Sequence, residues 1–550
     1  MKILYIIFFS LVAFSQNIDY KKLQKGKRGS EYRVWIYFKD KVGSNLIIPS
    51  SEAVARRKKN NVFSDGLWKD LKVSPSYINQ IQSLGIEIKN ESRWLNAISV
   101  ICSESELNLL LEFPFVEKIE PVIGYKKVPL EKKNDINPNS RDYDYGNAQA
   151  QIEQINVHEL HNQGFTGNGI RILVLDTGFD LTHNALVDIN VIDQFDVIND
   201  DNQTANETES EEAIGQDSHG TAVLSTIAAN APGELIGVAF DAEFLLAKTE
   251  DVSQEIQQEE DDYVSGLEWG ESNGADVSSS SLGYLDWYEY SDMDGNSAIT
   301  TIAIDIAVGL GMVCVTAAGN SGNSEWYYII APADADSVIS VGAVSENGEI
   351  ASFSSHGPTV DGRIKPEVCA RGSQTWCISP NSTINYTQYS GTSLSCPLVA
   401  GVVGLVIQAK PNWTAMEVRN AIMMTASMAD SANNTYGYGI VDALAAIDYG
   451  ATNSNLKGDN ILPNNFYISE VYPNPFNPSV SIQVAGKSEL MLKLDILSYR
   501  GQFIMNLYDG KMKNDVQPFS WNPESLPSGV YIIHSNINGH QLFKKVTYLK

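Results

Sequence analysis

The chain has 550 residues, 43% of them hydrophobic and 19% charged, with 41 glycines, which is more than one core usually serves and excludes a collagenous, coiled or wholly disordered chain. A formal net charge of −28 argues against a nucleic-acid partner, because phosphate binding needs a basic face. Such acidity fits a soluble, exported protein and does not choose a substrate.

Met1-Lys2 is followed by an apolar run from Ile3 to Phe14 and then Ser15-Gln16. One positive charge, a short apolar core and small residues at Ala13 and Ser15 read as a signal peptide over residues 1–15, too short to span a membrane comfortably. Residues 16–125 come next, and Tyr32 to Ile123 read as a small α+β unit. Strands are expected at Arg33–Phe38, Ala97–Ile101 and Val116–Pro121, and helices at Ser76–Leu84 and Ser105–Leu111. Residues 126–145 turn polar around Pro129 and Pro138, the composition of a linker open to proteolysis.

From 146 to 450 short apolar strands alternate with helical stretches. Strands are expected at Ile170–Leu175, Phe244–Ala247, Ala275–Val277, Met312–Val315 and Val338–Val344. Helices are expected at Thr221–Ala229, Tyr263–Asn273 and Ala298–Val308. This alternation predicts an α/β fold, a parallel sheet with helices on both faces. Leu398–Ile407 reads as a buried helix that stops before Pro411. After a second polar linker, 451–465, residues 466–550 carry apolar clusters at Val480–Val484, Leu490–Leu497 and Val530–Ile533 between Gly, Pro and Asn turns. That texture predicts a small β-sandwich. Five cysteines make no disulfide framework in a chain this long. Cys369 and Cys377 are candidates for a pair, and Cys314 and Cys396 read as buried thiols.

Three glycine-flanked segments carry chemistry. Leu173-Val174-Leu175-Asp176-Thr177-Gly178 is an apolar strand ending in a carboxylate, where open α/β sheets place their sites. Asp217-Ser218-His219-Gly220-Thr221 sets a histidine at the start of a helix. Tyr389-Ser390-Gly391-Thr392-Ser393-Leu394-Ser395-Cys396-Pro397 leads a serine into the buried helix, near the positive end of its dipole. Singly, each is also read as a turn cap, a structural histidine or a helix N-cap.

Together, Asp-Thr-Gly, His-Gly-Thr and Gly-Thr-Ser-x-x-x-Pro resemble the subtilisin-like serine peptidases (subtilases). Their chain order also differs from that of chymotrypsin and the α/β-hydrolases. The resemblance covers roughly residues 150 to 450. It implies a secreted serine endopeptidase with Asp176, His219 and Ser393 as triad and an acyl-enzyme intermediate. Ala317-Ala318-Gly319-Asn320 resembles the oxyanion-hole motif, with Asn320 as the donor. Ser281-Leu282-Gly283 resembles the strand that pairs with substrate backbone. Ile330 falls near the floor of the primary specificity pocket, which would then be apolar and shallow.

Residues 31 to 123 resemble the subtilase propeptide, which implies an intramolecular inhibitor. Residues 466–550 resemble the C-terminal sorting domain of the type IX secretion system. The resemblance rests on Val471-Tyr472-Pro473-Asn474-Pro475-Phe476-Asn477-Pro478, Pro527-Ser528-Gly529-Val530-Tyr531-Ile532 and Lys544-Lys545-Val546. It implies outer-membrane secretion machinery as a partner and a product that is secreted or held at the cell surface. Peptide or protein substrates, a monomer, and no cofactor for the chemistry complete the expectation.

The sequence departs from the family at Leu394, where a methionine is usual, and at Ala370-Arg371-Gly372, where the family has Ala-Pro-Gly. Ala185 stands where relatives carry a calcium-binding Asp, so structural calcium is left open. The acidic runs Asp200, Asp201, Glu207, Glu209, Glu211, Glu212 and Glu255, Glu259, Glu260, Asp261, Asp262 read as solvated loops rather than calcium loops. Two other readings are a surface-displayed binding protein that has lost activity and an acid peptidase pairing Glu and Asp with its serine. The complete triad and Asn320 favour the subtilase.

Overall fold

A computed structural model describes residues 23–548, apart from 24–25, 29, 61, 63–67, 123–142, 254–257, 286–287, 450–466, 473–478 and the short stretches 486–489, 499–502, 514–515, 524–525, 528 and 538–539. The expected signal peptide, nearly all of the first linker, the second linker and the Pro473–Pro478 motif lie outside the described residues.

The N-terminal region is a five-stranded antiparallel sheet: β1 (Lys27–Arg28), β2 (Glu31–Phe38), β3 (Glu87–Ser92), β4 (Ala97–Ser103) and β5 (Val116–Pro121). β2 pairs with β4 on one side and with β1 and β5 on the other. Among the described residues three helices accompany it, α1 (Ser51–Lys59), α2 (Pro75–Gln82) and α3 (Glu104–Leu110). β2 is almost wholly buried because both its faces are covered. Val34, Ile36 and Phe38 enter the region's own core with Ile98, Val100, Leu107 and Leu110. Trp35 and Tyr37, pointing the other way, pack with Ala97 and Val122 and against Ile299 of the following domain. The described residues up to 449 accordingly form one compact unit.

The second domain is built on a seven-stranded sheet: β6 (Arg171–Asp176), β7 (Asn190–Asp196), β8 (Glu243–Lys248), β9 (Val277–Ser280), β10 (Val313–Ala317), β11 (Ile339–Val344) and β12 (Val368–Arg371). All its pairings are parallel, in the order β12-β11-β10-β9-β6-β8-β7. The helices that matter below are α4 (Ser218–Ala228), α5 (Gln258–Ser272), α6 (Ile299–Gly309), α7 (Thr392–Ala409) and α8 (Ala415–Met424). α7 is long and apolar enough to cross a membrane, yet it is buried along its length as the core helix. The expected α/β fold is observed, with β9 displaced from Ala275–Val277 to Val277–Ser280 because Ser278, Ser279 and Ser280 are themselves fully buried.

Two expectations fail outright, and a third in part, since Glu209, Glu211 and Glu212 lie in a short helix, Glu209–Ile214, rather than a loop. The Glu259–Asp262 run is not a solvated loop: it is the buried first turn of α5. Its carboxylates find partners there: Arg33 donates to Asp261 at 3.3 Å, Asn90 to Asp262 at 2.7 Å and Tyr288 to Glu260 at 2.7 Å. The helix dipole favours negative charge at that end. Nor do Cys369 and Cys377 pair: all five cysteines are free and buried. Cys369 lies on β12 with its thiol toward Tyr436 O, and Cys377 lies on a separate hairpin with its thiol toward Thr387 O. Burial pushes the Cys369, Cys314 and Cys396 thiols up to about 12, so they are inert as nucleophiles.

The C-terminal unit has two antiparallel sheets. One holds Tyr467–Tyr472, Val480–Ala485 and Val516–Trp521; the other holds Phe503–Lys511, Met491–Ser498, Gly529–Ile537 and His540–Tyr548. Val480, Ile482, Val484, Leu494, Ile496, Ile533 and Trp521 fill the space between them. This is the expected β-sandwich.

Candidate active site

Three neighbouring strands, β10, β9 and β6, end at the same edge of the sheet, and each hands over to a segment singled out in the sequence. β6 ends at Asp176, β9 runs into Ser281-Leu282-Gly283, and β10 into Ala318-Gly319-Asn320. Parallel register aligns these ends, with Ser280 opposite Leu175 on one side and Thr316 on the other.

Asp176 is fully buried, and its Oδ1 lies 2.6 Å from His219 Nδ1. The same oxygen accepts from the Thr177 N–H at 2.8 Å. His219 is the second residue of α4. Gly220 lets the helix come that close: a Cβ there would lie 2.2 Å from Gly178 O and 3.0 Å from Asp176 Cβ.

Ser393 is the second residue of α7 and is 6% exposed. Its hydroxyl donates to Ser281 O at 3.3 Å. In return the Ser281 hydroxyl donates to Ser393 O at 2.9 Å. That carbonyl is open to Ser281 because its ordinary helical partner would be the N–H of residue 397, and Pro397 has none. The proline explains why the sequence suggested a helix from Leu398 only, although α7 begins at Thr392. One turn beyond His219, Ala222 packs with Leu394 and Cys377, so the N-terminal ends of α4 and α7 are held side by side.

Asn320 is oriented by a residue the sequence reading did not single out. Thr392 donates to Asn320 Oδ1 twice, from its N–H at 2.9 Å and its hydroxyl at 3.0 Å. The Asn320 amide N–H₂ therefore faces away from Thr392. The signal was present, since Thr392 is the threonine of Gly-Thr-Ser.

Between the two backbone segments sits Ile330, 8% exposed. A Cβ on Gly283 would meet Ile330 Cδ1 at 2.4 Å, and one on Gly319 would meet it at 3.0 Å. Ser281, Leu282, Ala317 and Ala318 are buried around this slot. Tyr284 and Ala331 bond to each other, N–H to O at 2.7 and 3.2 Å, and tie the chain after Gly283 to the chain after Ile330.

A buried hydroxyl, a partly exposed imidazole and a buried carboxylate at the carboxyl edge of a parallel sheet, beside a positioned amide, are the groups that a serine hydrolase uses. Comparison with known proteins is consistent with this geometry. The family model described as "Subtilase family" matches residues 167–439. Those described as "Peptidase S8 propeptide domain, Bacteroidota" and "Secretion system C-terminal sorting domain" match 33–140 and 470–548. Subtilisin E of Bacillus subtilis is 32% identical over 371 residues, 66% of this chain and 84% of the relative. An alkaline protease of Shouchella clausii is 30% identical over 67% of this chain and 84% of its own length. A subtilisin of Bacillus pumilus is 35% identical over 54% and 97%. The chain belongs to the subtilase family and is a subtilisin-like serine peptidase. It carries a propeptide domain and a sorting domain that indicates type IX export to the cell surface or the medium.

The calcium ligand usual in relatives has no counterpart at Ala185, which is 2% exposed and offers no side-chain oxygen. Asp196, Asp201 and Glu207 bring carboxylates within 4.8 Å of one another. The Lys248 ammonium lies 2.8 Å from Asp196 and 2.7 Å from Glu211, so it offsets one negative charge beside that group.

Proposed function

We propose that the protein is an endopeptidase whose triad is Asp176, His219 and Ser393, made as a proenzyme and hydrolysing peptide bonds through an acyl-enzyme. The observation that carries this is the 2.6 Å bond between His219 and the buried Asp176, at the edge where α7 presents Ser393. A serine hydroxyl attacks a carbonyl only as a base removes its proton. His219 Nε2 takes that proton and returns it to the leaving amine. Asp176 keeps the other ring nitrogen as the donor and stabilises the imidazolium. The Asn320 amide and the Ser393 N–H, at the positive end of α7, hold the oxyanion. No cofactor enters the chemistry.

Substrate backbone pairs along Ser281-Leu282-Gly283 and Ala317-Ala318-Gly319, and Ile330 makes the pocket between them shallow. Residues 1–15 are removed as a signal, and 16–125 are an intramolecular inhibitor joined through 126–145 to the peptidase, 146–450. Residues 466–550, after the linker 451–465, engage the outer-membrane secretion machinery. The product acts as a monomer. Ser393→Ala is expected to accumulate as uncut precursor and to lose kcat on the order of 10⁶-fold, a figure taken over from subtilisin itself. Peptide hydrolysis by purified Ser393→Ala at the parent rate would sink the assignment.

A further inference from the structure

The N-terminal region holds the peptidase domain at a second place, far from the cleft in topological terms. α5 and α6 run back from the carboxyl edge of the sheet, so their C-terminal ends lie at its amino edge, opposite Asp176, Ser281 and Asn320. The last carbonyls of a helix have no partner within it and form the negative end of its dipole. Here residues 50–60 supply the partners. The Ser50 N–H donates to Ser272 O at 2.9 Å. The Arg56 guanidinium reaches the carbonyls of Glu271 at 3.2 Å and Leu310 at 3.4 Å, that of Ala275, and the Glu271 carboxylate. Asn60 donates to Gly311 O at 3.4 Å and accepts from the Ala415 N–H, the start of α8, at 2.8 Å.

Arg57 is clamped between two carboxylates, Asp70 at 2.7 and 2.9 Å and Glu271 at 2.9 and 2.7 Å, and all three side chains are buried. The surfaces are cut to fit. Gly274 and Gly311 end the two helices with φ of +87° and +95°, and a Cβ on them would strike Glu52 Cβ at 2.6 Å and Asn60 Nδ2 at 2.4 Å.

We propose that Ser50–Asn60 is a second, cleft-independent anchor of the propeptide, one that sets how slowly it leaves once the linker is cut. This rests on reading residues 16–125 as a removable inhibitor. The planar fork of arginine suits the site, binding several oxygens at once where a lysine would bind fewer.

The test uses full-length precursor carrying Ser393→Ala, in which self-cutting is absent. An added protease nicks the 126–145 linker, and departure of the N-terminal fragment is timed by size-exclusion chromatography. Adding Arg57→Gln, which removes the guanidinium bridging Asp70 and Glu271 and leaves them only Arg56 and the more distant Arg93, is expected to raise the off-rate by about tenfold or more. Asn60→Ala, which removes two hydrogen bonds to the peptidase domain and no charge, should raise it roughly threefold. Lys89→Gln, paired with the exposed Glu87 of its own strand, should leave it unchanged. If Arg57→Gln precursor does not fold, Asn60→Ala decides: its off-rate equal to the parent's overturns the anchor, as do unchanged rates in both. The inhibitor reading fails separately. With Ser393 retained, fragment release that brings no rise in peptide hydrolysis refutes inhibition while the anchor stands.

Discussion

At the carboxyl edge of the seven-stranded sheet, Asn320 uses its oxygen on Thr392 and keeps its N–H₂ for something else, and Ser393 holds its hydroxyl on a long 3.3 Å bond to Ser281. At the amino edge the helix-end carbonyls of Glu271, Ser272, Ala275, Leu310 and Gly311 are all taken by residues 50–60. The same sheet thus carries polar groups positioned for a transient visitor on one side and polar groups matched to a stored partner on the other. Buried polar atoms left partly open are costly, and a fold keeps them so where chemistry needs them. Sealing such atoms is the ordinary solution. At the amino edge residues 50–60 achieve it.

Disturbing the open edge should cost activity first. Gly220→Ala places a methyl 2.2 Å from Gly178 O, so α4 must move and the 2.6 Å His219–Asp176 bond lengthens. We expect kcat/KM to fall by about 10², the usual penalty for a misplacement near 1 Å. A variant with parent kinetics would show that the close approach is not needed. Ile330→Gly acts on the same edge without touching the reacting groups. Emptying the slot between Gly283 and Gly319 should shift preference from small to aromatic residues before the cut bond by roughly tenfold in relative kcat/KM. An unchanged ranking in a peptide library would remove Ile330 from the pocket.

The open edge was legible in the sequence because its signals are local. An apolar strand ending in Asp176, a glycine after His219 and Gly-Thr-Ser before a buried helix each state their own geometry. The sealed edge was not, because its meaning is set by contacts across more than two hundred residues. Ser51–Lys59 reads as a polar, charge-rich stretch, and nothing within it says that Arg56 and Arg57 are buried. Glu259–Asp262 reads as a solvated loop for the same reason. Charge predicts exposure until a partner of opposite sign arrives from elsewhere. Ser278–Ser280 failed differently: small hydroxyls look like turn residues, but between β6 and β10 they form strand. The Cys369–Cys377 pair failed because nearness in sequence says nothing about which way two strands aim their thiols.

Between the two edges, where β2 lies on α5, one carboxylate is sealed at a cost. Asp261 is buried with Arg33 at 3.3 Å, and desolvation outweighs the guanidinium, pushing its carboxyl up from 3.8 to about 6. The direction fixes the consequence. In the folded precursor Asp261 keeps its proton up to about pH 6, whereas in the unfolded chain it loses it near 3.8. Its contribution to stability is therefore fully present below about pH 4 and is lost as pH rises through 6. Asp261→Asn has the same shape and no titration. In the Ser393→Ala background, the melting midpoint of the precursor that keeps Asp261, minus that of the precursor carrying Asp261→Asn, should fall by roughly 2 °C between pH 4 and pH 7. Histidines that titrate over the same range cancel in the difference. Midpoints that run parallel across that interval would mean that Asp261 stays ionised throughout, and that the seam between propeptide and peptidase is as well satisfied as the amino edge.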